Sequence, residues 1–211
     1  MQTFNGLNDS FAESMASLWT SGLDVQSRGS KQKELLFHNM KIEDPTDLSL
    51  EVPARRFNSN YALIEWLWYL SKDKGVKNIG KLAGIWQAIA DQKNEVESNY
   101  GFLIFGLTNA VSGCNQWSWV IEELLKDRDT RRATISINQS WHKGKNNADY
   151  PCTQSLHFFI RDSNISIIEF SSYFPSIKLE KRVLLSSNVR FCPFFNSSTT
   201  LLILVSYKIF Y

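Results

Sequence analysis

Apolar residues recur at helical spacing over residues 9–21, where Phe11, Met15 and Leu18 fall near one face and Gly22 supplies a stop signal. Residues 25–33 are polar and basic around Gly29 and predict a loop. The alternation over 34–42 predicts a strand, ended by Pro45. Residues 60–71, NYALIEWLWYLS, are strongly apolar and predict a buried helix with Glu65 at its middle. Shorter helical segments are expected at 86–92 and 117–126, the second followed by the charged loop DRDTRR. Residues 133–138 read as a strand and 142–149 as a polar loop around Gly144. Residues 155–161 and 165–170 read as two strands joined by a tight turn at 162–164.

The character of the chain then changes. All 10 glycines precede residue 145, and no Asp follows Asp162. The remainder is rich in Ser, Phe, Leu and Ile; it has strand propensity, as at 199–209, but no glycine turn to set a register. No internal repeat or Pro/Gly-rich linker divides the chain.

With 211 residues, 43% hydrophobic and 21% charged, the chain suits one domain with a packed core. A net charge of +2 gives no global preference for nucleic acid or membrane, although local basic clusters suit a phosphate. Cys114, Cys152 and Cys192 are too few and too widely spaced for a disulfide framework or a zinc site, so no metal is expected. The first residues, MQTFNGLNDSF, lack a basic segment followed by an apolar one, and no signal peptide is expected. The apolar run 201–205 is too short to span a bilayer. The expectation is a soluble, cytoplasmic protein in a reducing compartment.

Candidate chemistry is sparse. In DYPCTQS, Cys152 lies between Pro151 and Thr153 at the entry to a strand, a rigid setting for a nucleophile if positive charge is near, and equally a setting for a structural thiol. Arg131 and Arg132 in DTRR present forked donors suited to phosphate, or a solvated helix end where cations are favoured anyway. Arg28 in SRG has the same two readings. Glu65, amid Leu63, Ile64, Trp66, Leu67 and Trp68, is either the outward position of an amphipathic helix or a buried, functional carboxylate. His38, His142 and His157 have no metal-ligand spacing, and a Cys–His hydrolase pair has only residue type in its favour.

Taken in order, these segments resemble the thymidylate synthase and dCMP hydroxymethylase family over residues 20–165. SRGSKQKEL resembles the family's phosphate loop, with the DP pair at Asp44 and Pro45 after it. NYALIEWLWYLS resembles the helix bearing the catalytic glutamate; GIWQAI, with Trp86, and SNYG, with Tyr100, resemble segments lining the active site. WVIEELLKDRDTRR resembles the helix and arginine pair, and DYPCTQSLHFFIRD the nucleophile strand. Thymidylate synthases usually carry His after the nucleophile, where this chain has Thr153; that CT pair and the spacing from Trp86 to SNYG look closer to phage dCMP hydroxymethylases.

The resemblance implies an α/β fold of the thymidylate synthase type, a mixed sheet with helices packed on one face, C-terminally incomplete. It implies a family-like domain over residues 1–165 and a divergent or frameshifted tail over 166–211, because the family's later RS-x-D and LG-x-P-x-N motifs are not recognisable there. It implies a transferase moving a one-carbon unit from 5,10-methylenetetrahydrofolate to C5 of dUMP or dCMP. Cys152 and Glu65 would be catalytic, Arg28, Arg131 and Arg132 would bind phosphate, and Trp86 and Tyr100 would shape the nucleotide and folate cavity. Family members are homodimers in which the arginine pair reaches the partner's phosphate. The alternative is a truncated, non-catalytic remnant that at most binds nucleotide or dimerises. Without the later motifs, the chain as given is expected to turn over weakly or not at all.

Overall fold

The computed structural model describes residues 1–27, 30–36, 38–44, 58–143, 149–161 and 164–171, with short strand pieces at 177–178, 188–190 and 208–210. The chain divides into two compact units, one of Met1–Ser59 with Tyr173–Tyr211, the other of Asn60–Ser172.

In the first unit, α1 (Leu7–Ser21) buries Leu7, Phe11 and Leu18 along one face together with the small polar Ser10 and Ser14. The Ser14 hydroxyl lies 2.9 Å from His38 Nε2. β1 (Gln2–Phe4) pairs in parallel with β4 (Met40–Ile42). The polar segment expected as a loop is a hairpin: β2 (Leu23–Ser27) and β3 (Ser30–Glu34) pair antiparallel from Leu23↔Glu34 to Ser27↔Ser30. β2 is mostly exposed to water whereas Gln32 of β3 is buried, and Lys33–Asp24 at 3.3 Å braces the pair. The strand expected over 34–42 is therefore two separate strand ends, β3 stopping at Glu34 and β4 starting at Met40.

In the second unit, α2 (Ser59–Ser71) runs where the apolar stretch predicts it, but its buried face is Ala62, Glu65, Trp68 and Tyr69. Leu63, Ile64, Leu67 and Leu70 are exposed. Lys72 ends the helix at φ 60. Two short helices follow, α3 (Ile79–Leu82) and α4 (Ile85–Ile89). The loop beyond them returns to α2 at Gly101, where an added Cβ would lie 1.7 Å from the Tyr69 carbonyl oxygen. Asn99 pins that approach, donating from Nδ2 to Asp73 O at 3.0 Å and accepting from Phe102 N at 2.7 Å. A π-helical turn, Phe102–Gly106, leads on.

The helix α5 (Gln116–Lys126) is capped by Asn115, whose side chain accepts from Ser118 N at 2.8 Å. Beyond it β5 (Thr134–Ser136), β6 (Thr153–Arg161) and β7 (Asn164–Ser171) pair antiparallel in that order. On β6, Leu156 and Phe158 are buried, and Trp117 of α5 packs edge-on to Phe158 at 5.9 Å. The opposite face carries the pairs His157↔Ile168 and Ser155↔Phe170, with Ile168 and Phe170 exposed. Pairing of β6 with β7 continues past residue 165 to Ser171.

Candidate active site

Cys152 is half-buried and in no disulfide, one residue before β6. Buried Pro151 restricts the approach to it. A register shift between Thr153 and Ser155 forms a bulge at the strand's first residues, a device that re-aims a side chain. The Cys152 carbonyl accepts from Ser171 Oγ at 3.2 Å and from Gln154 Nε2 at 3.3 Å. The neighbouring Thr153 is buried, and its hydroxyl donates to Glu169 Oε1 at 2.7 Å.

Tyr100 reaches the same place from a different segment. Its ring is 1% exposed, and its hydroxyl faces Thr153, within electrostatic reach of Cys152. Burial pushes the phenol well above its ordinary pKa; negative charge on Cys152 and Glu169 acts in the same direction, opposed in part by Thr153. Asp149 fastens the two segments: its Oδ2 accepts from Ser98 N at 2.7 Å, tying the SNYG turn to the DYPC strand entry.

From Tyr100 an aromatic chain leads to the other residues that the sequence singles out. Tyr100 packs edge-on to Tyr69 at 5.8 Å, Tyr69 stacks on Trp68 at 5.1 Å, and Trp68 meets Trp86 edge-on at 4.9 Å. The Tyr69 hydroxyl donates to Glu65 Oε1 at 3.3 Å, so the two-way question posed by the sequence resolves to a Glu65 carboxylate that is buried, at 7% exposure. Trp86 is buried too, its indole N–H donating to the Tyr61 hydroxyl at 2.8 Å. Cys152, Tyr100, Glu65 and Trp86 thus belong to one connected cluster.

The arginines stand elsewhere. Arg28 lies outside the described residues. Arg131 and Arg132 are exposed after α5. The Arg132 guanidinium pairs with buried Glu123 at 3.4 Å and lies 5.2 Å over the Trp119 ring, so its described partners are on α5 of its own subunit. Among the described residues, no group of His, Cys, Asp or Glu is arranged to hold a metal ion, and no helix is long and apolar enough to cross a membrane.

Sequence reasoning missed Asp149, Tyr69 and Glu169. Asp149 stands inside the DYPC motif but has no pattern of its own. Glu169 carries the signal that marks Glu65, a lone carboxylate in an apolar segment, NISIIEFS.

The sequence model of thymidylate synthase matches residues 9–176. The deoxycytidylate 5-hydroxymethyltransferase of Enterobacteria phage T4 is 32% identical over 117 residues, 53% of this chain and 46% of the phage protein. Its counterparts in phages T2 and T6 match equally. The chain therefore spans about half the length of these relatives. Among solved structures, the thermostable thymidylate synthase A from Bacillus subtilis superimposes with a TM-score of 0.58 at 12% identity, over 79% of this chain and 64% of that one. The fold is accordingly the expected α/β fold of the thymidylate synthase type, and the chain belongs to the thymidylate synthase family.

Proposed function

We propose that the chain transfers a one-carbon unit from 5,10-methylenetetrahydrofolate to C5 of a pyrimidine deoxynucleotide, dUMP or dCMP, through a covalent adduct at Cys152. The observation that supports this most is the half-buried Cys152 thiol at the bulged entry to β6, beside the buried Tyr100 phenol, in a chain of this family. The name of the phage relatives favours dCMP as acceptor and a hydroxymethyl product.

In this reading the Cys152 thiolate attacks C6 of the pyrimidine, and the ring electrons displaced make C5 a nucleophile. The folate supplies the one-carbon unit that C5 takes up. Glu65, held by Tyr69, organises water and moves protons at the ring, including loss of the C5 proton. Loss of the C5 proton expels tetrahydrofolate and leaves a methylene on C5; water adds to that methylene to give the hydroxymethyl group as the Cys152 sulfur leaves C6 and the aromatic ring is restored. Tyr100 and Trp86 shape the nucleotide and folate cavity from an aromatic floor. Arg28 holds the phosphate within its own subunit, and Arg131 and Arg132 hold that of a partner subunit in a homodimer.

Incubation with 5,10-methylenetetrahydrofolate and either nucleotide, with product mass as the readout, tests this reading. A hydroxymethylated dCMP is expected; a methylated dUMP would keep the reaction class and change the subfamily. No product from either, with nucleotide binding retained, would favour the non-catalytic alternative.

A further inference from the structure

Glu169 is a carboxylate on β7 that the proposed chemistry does not use. The strand is otherwise apolar or neutral, NISIIEFS, and Glu169 is half-buried on it. Its Oε1 accepts the hydroxyl proton of Thr153 at 2.7 Å, and Thr153 is itself buried. Two residues further on, Ser171 donates to the Cys152 carbonyl at 3.2 Å. β7 thus grips both residues at the bulge, one by side chain and one by backbone.

We propose that Glu169 is a positioning residue for Cys152: its carboxylate anchors the Thr153 hydroxyl at the bulge where β6 begins, which fixes the thiol's place and sets a negative charge beside it. The inference rests on Cys152 being the nucleophile. The hydrogen bond is charge-assisted and therefore stronger than a neutral one. Other titratable groups bear on the same spot. The Tyr100 phenol, packed in from the SNYG turn, stays protonated. Asp149, three residues upstream, commits one carboxylate oxygen to Ser98 N. The groups named here are acidic or neutral. A carboxylate held on the neighbouring residue disfavours the thiolate, so removing its charge should favour ionisation of Cys152.

Alkylation by iodoacetamide, in which the thiolate displaces iodide, reports the thiolate fraction without nucleotide or folate. The rate at the Cys152 peptide, followed by mass spectrometry through the thiol's titration range, is the readout. Glu169→Gln keeps an acceptor for Thr153 and removes the charge; its midpoint should fall by about one pH unit, with alkylation at neutral pH up to roughly tenfold faster. Thr153→Val removes the hydroxyl that donates to the carboxylate and should move the midpoint the other way. An unchanged midpoint in a folded Glu169→Gln protein would overturn the proposal. If that variant does not fold, Thr153→Val alone decides: a rise supports the proposal, and no change or a fall sinks it. Because no turnover is measured, this result stands apart from the fate of the proposed reaction.

Discussion

Cys152 and Glu65 have complementary settings. The thiol is half-buried, whereas the carboxylate is buried against Tyr69. Each therefore fails differently when replaced. Cys152→Ala removes the proposed nucleophile and should lower transfer by on the order of 10⁴-fold or more. Glu65→Gln keeps the volume and an acceptor for Tyr69 but not the proposed proton transfer, and should lower kcat by roughly 10²-fold with the melting temperature little changed. Tyr100 bears on stability as well. Its folded-state pKa is raised, so the folded protein keeps a proton that the unfolded chain loses above about pH 10. That contribution is complete below the unfolded value and declines as pH rises through the folded one. Wild type should lose thermal stability in this alkaline window, and Tyr100→Phe should lose less; equal losses would show that the phenol is not the group responsible. These residues were unevenly legible. Cys152 and Tyr100 stand in recognisable motifs, whereas Glu169 lies beyond residue 165, where the resemblance stops.

α2 shows how far a hydrophobic pattern reaches. Its length and apolar density predict a buried helix, and the helix is there. Which side faces inward was not legible, because nearly every position is apolar and the inward face includes the one carboxylate. Trp68 and Tyr69 pack in the core, whereas Leu67 is 55% exposed. Trp68→Ala should accordingly cost about 3–5 kcal/mol in urea unfolding, and Leu67→Ala well under ~1 kcal/mol. The reverse order would mean that the other face is the buried one. The SNYG turn makes a second prediction at this scale. At Gly101 the obstacle to a side chain is the Tyr69 carbonyl, which belongs to α2 and cannot swing aside. Gly101→Ala should destabilise the unit by about 3 kcal/mol or more and loosen Tyr100. β2 and β3 escaped the sequence because a mostly polar hairpin has no apolar face to alternate.

For the molecule as a whole, the residues fall into two groups: a cluster around Cys152, and an exposed arginine pair of which Arg132 rests on α5. The proposed homodimer would unite them, with each subunit's arginines serving the other's thiol. Mixing Arg132→Ala with Cys152→Ala subunits should then recover part of the lost activity, since one hybrid site regains both groups. Hybrids that stay inactive, although each parent dimerises, would place the arginines outside the site. The claim on which the rest depends is that Cys152 adds to C6 of the pyrimidine and so makes C5 a nucleophile. Tritium release from C5-labelled dCMP and dUMP measures that event directly, with wild type and Cys152→Ala run side by side. The account predicts slow, folate-dependent release from at least one nucleotide by wild type and none by the variant. Release that persists in Cys152→Ala, or none from wild type after long incubation, would contradict it.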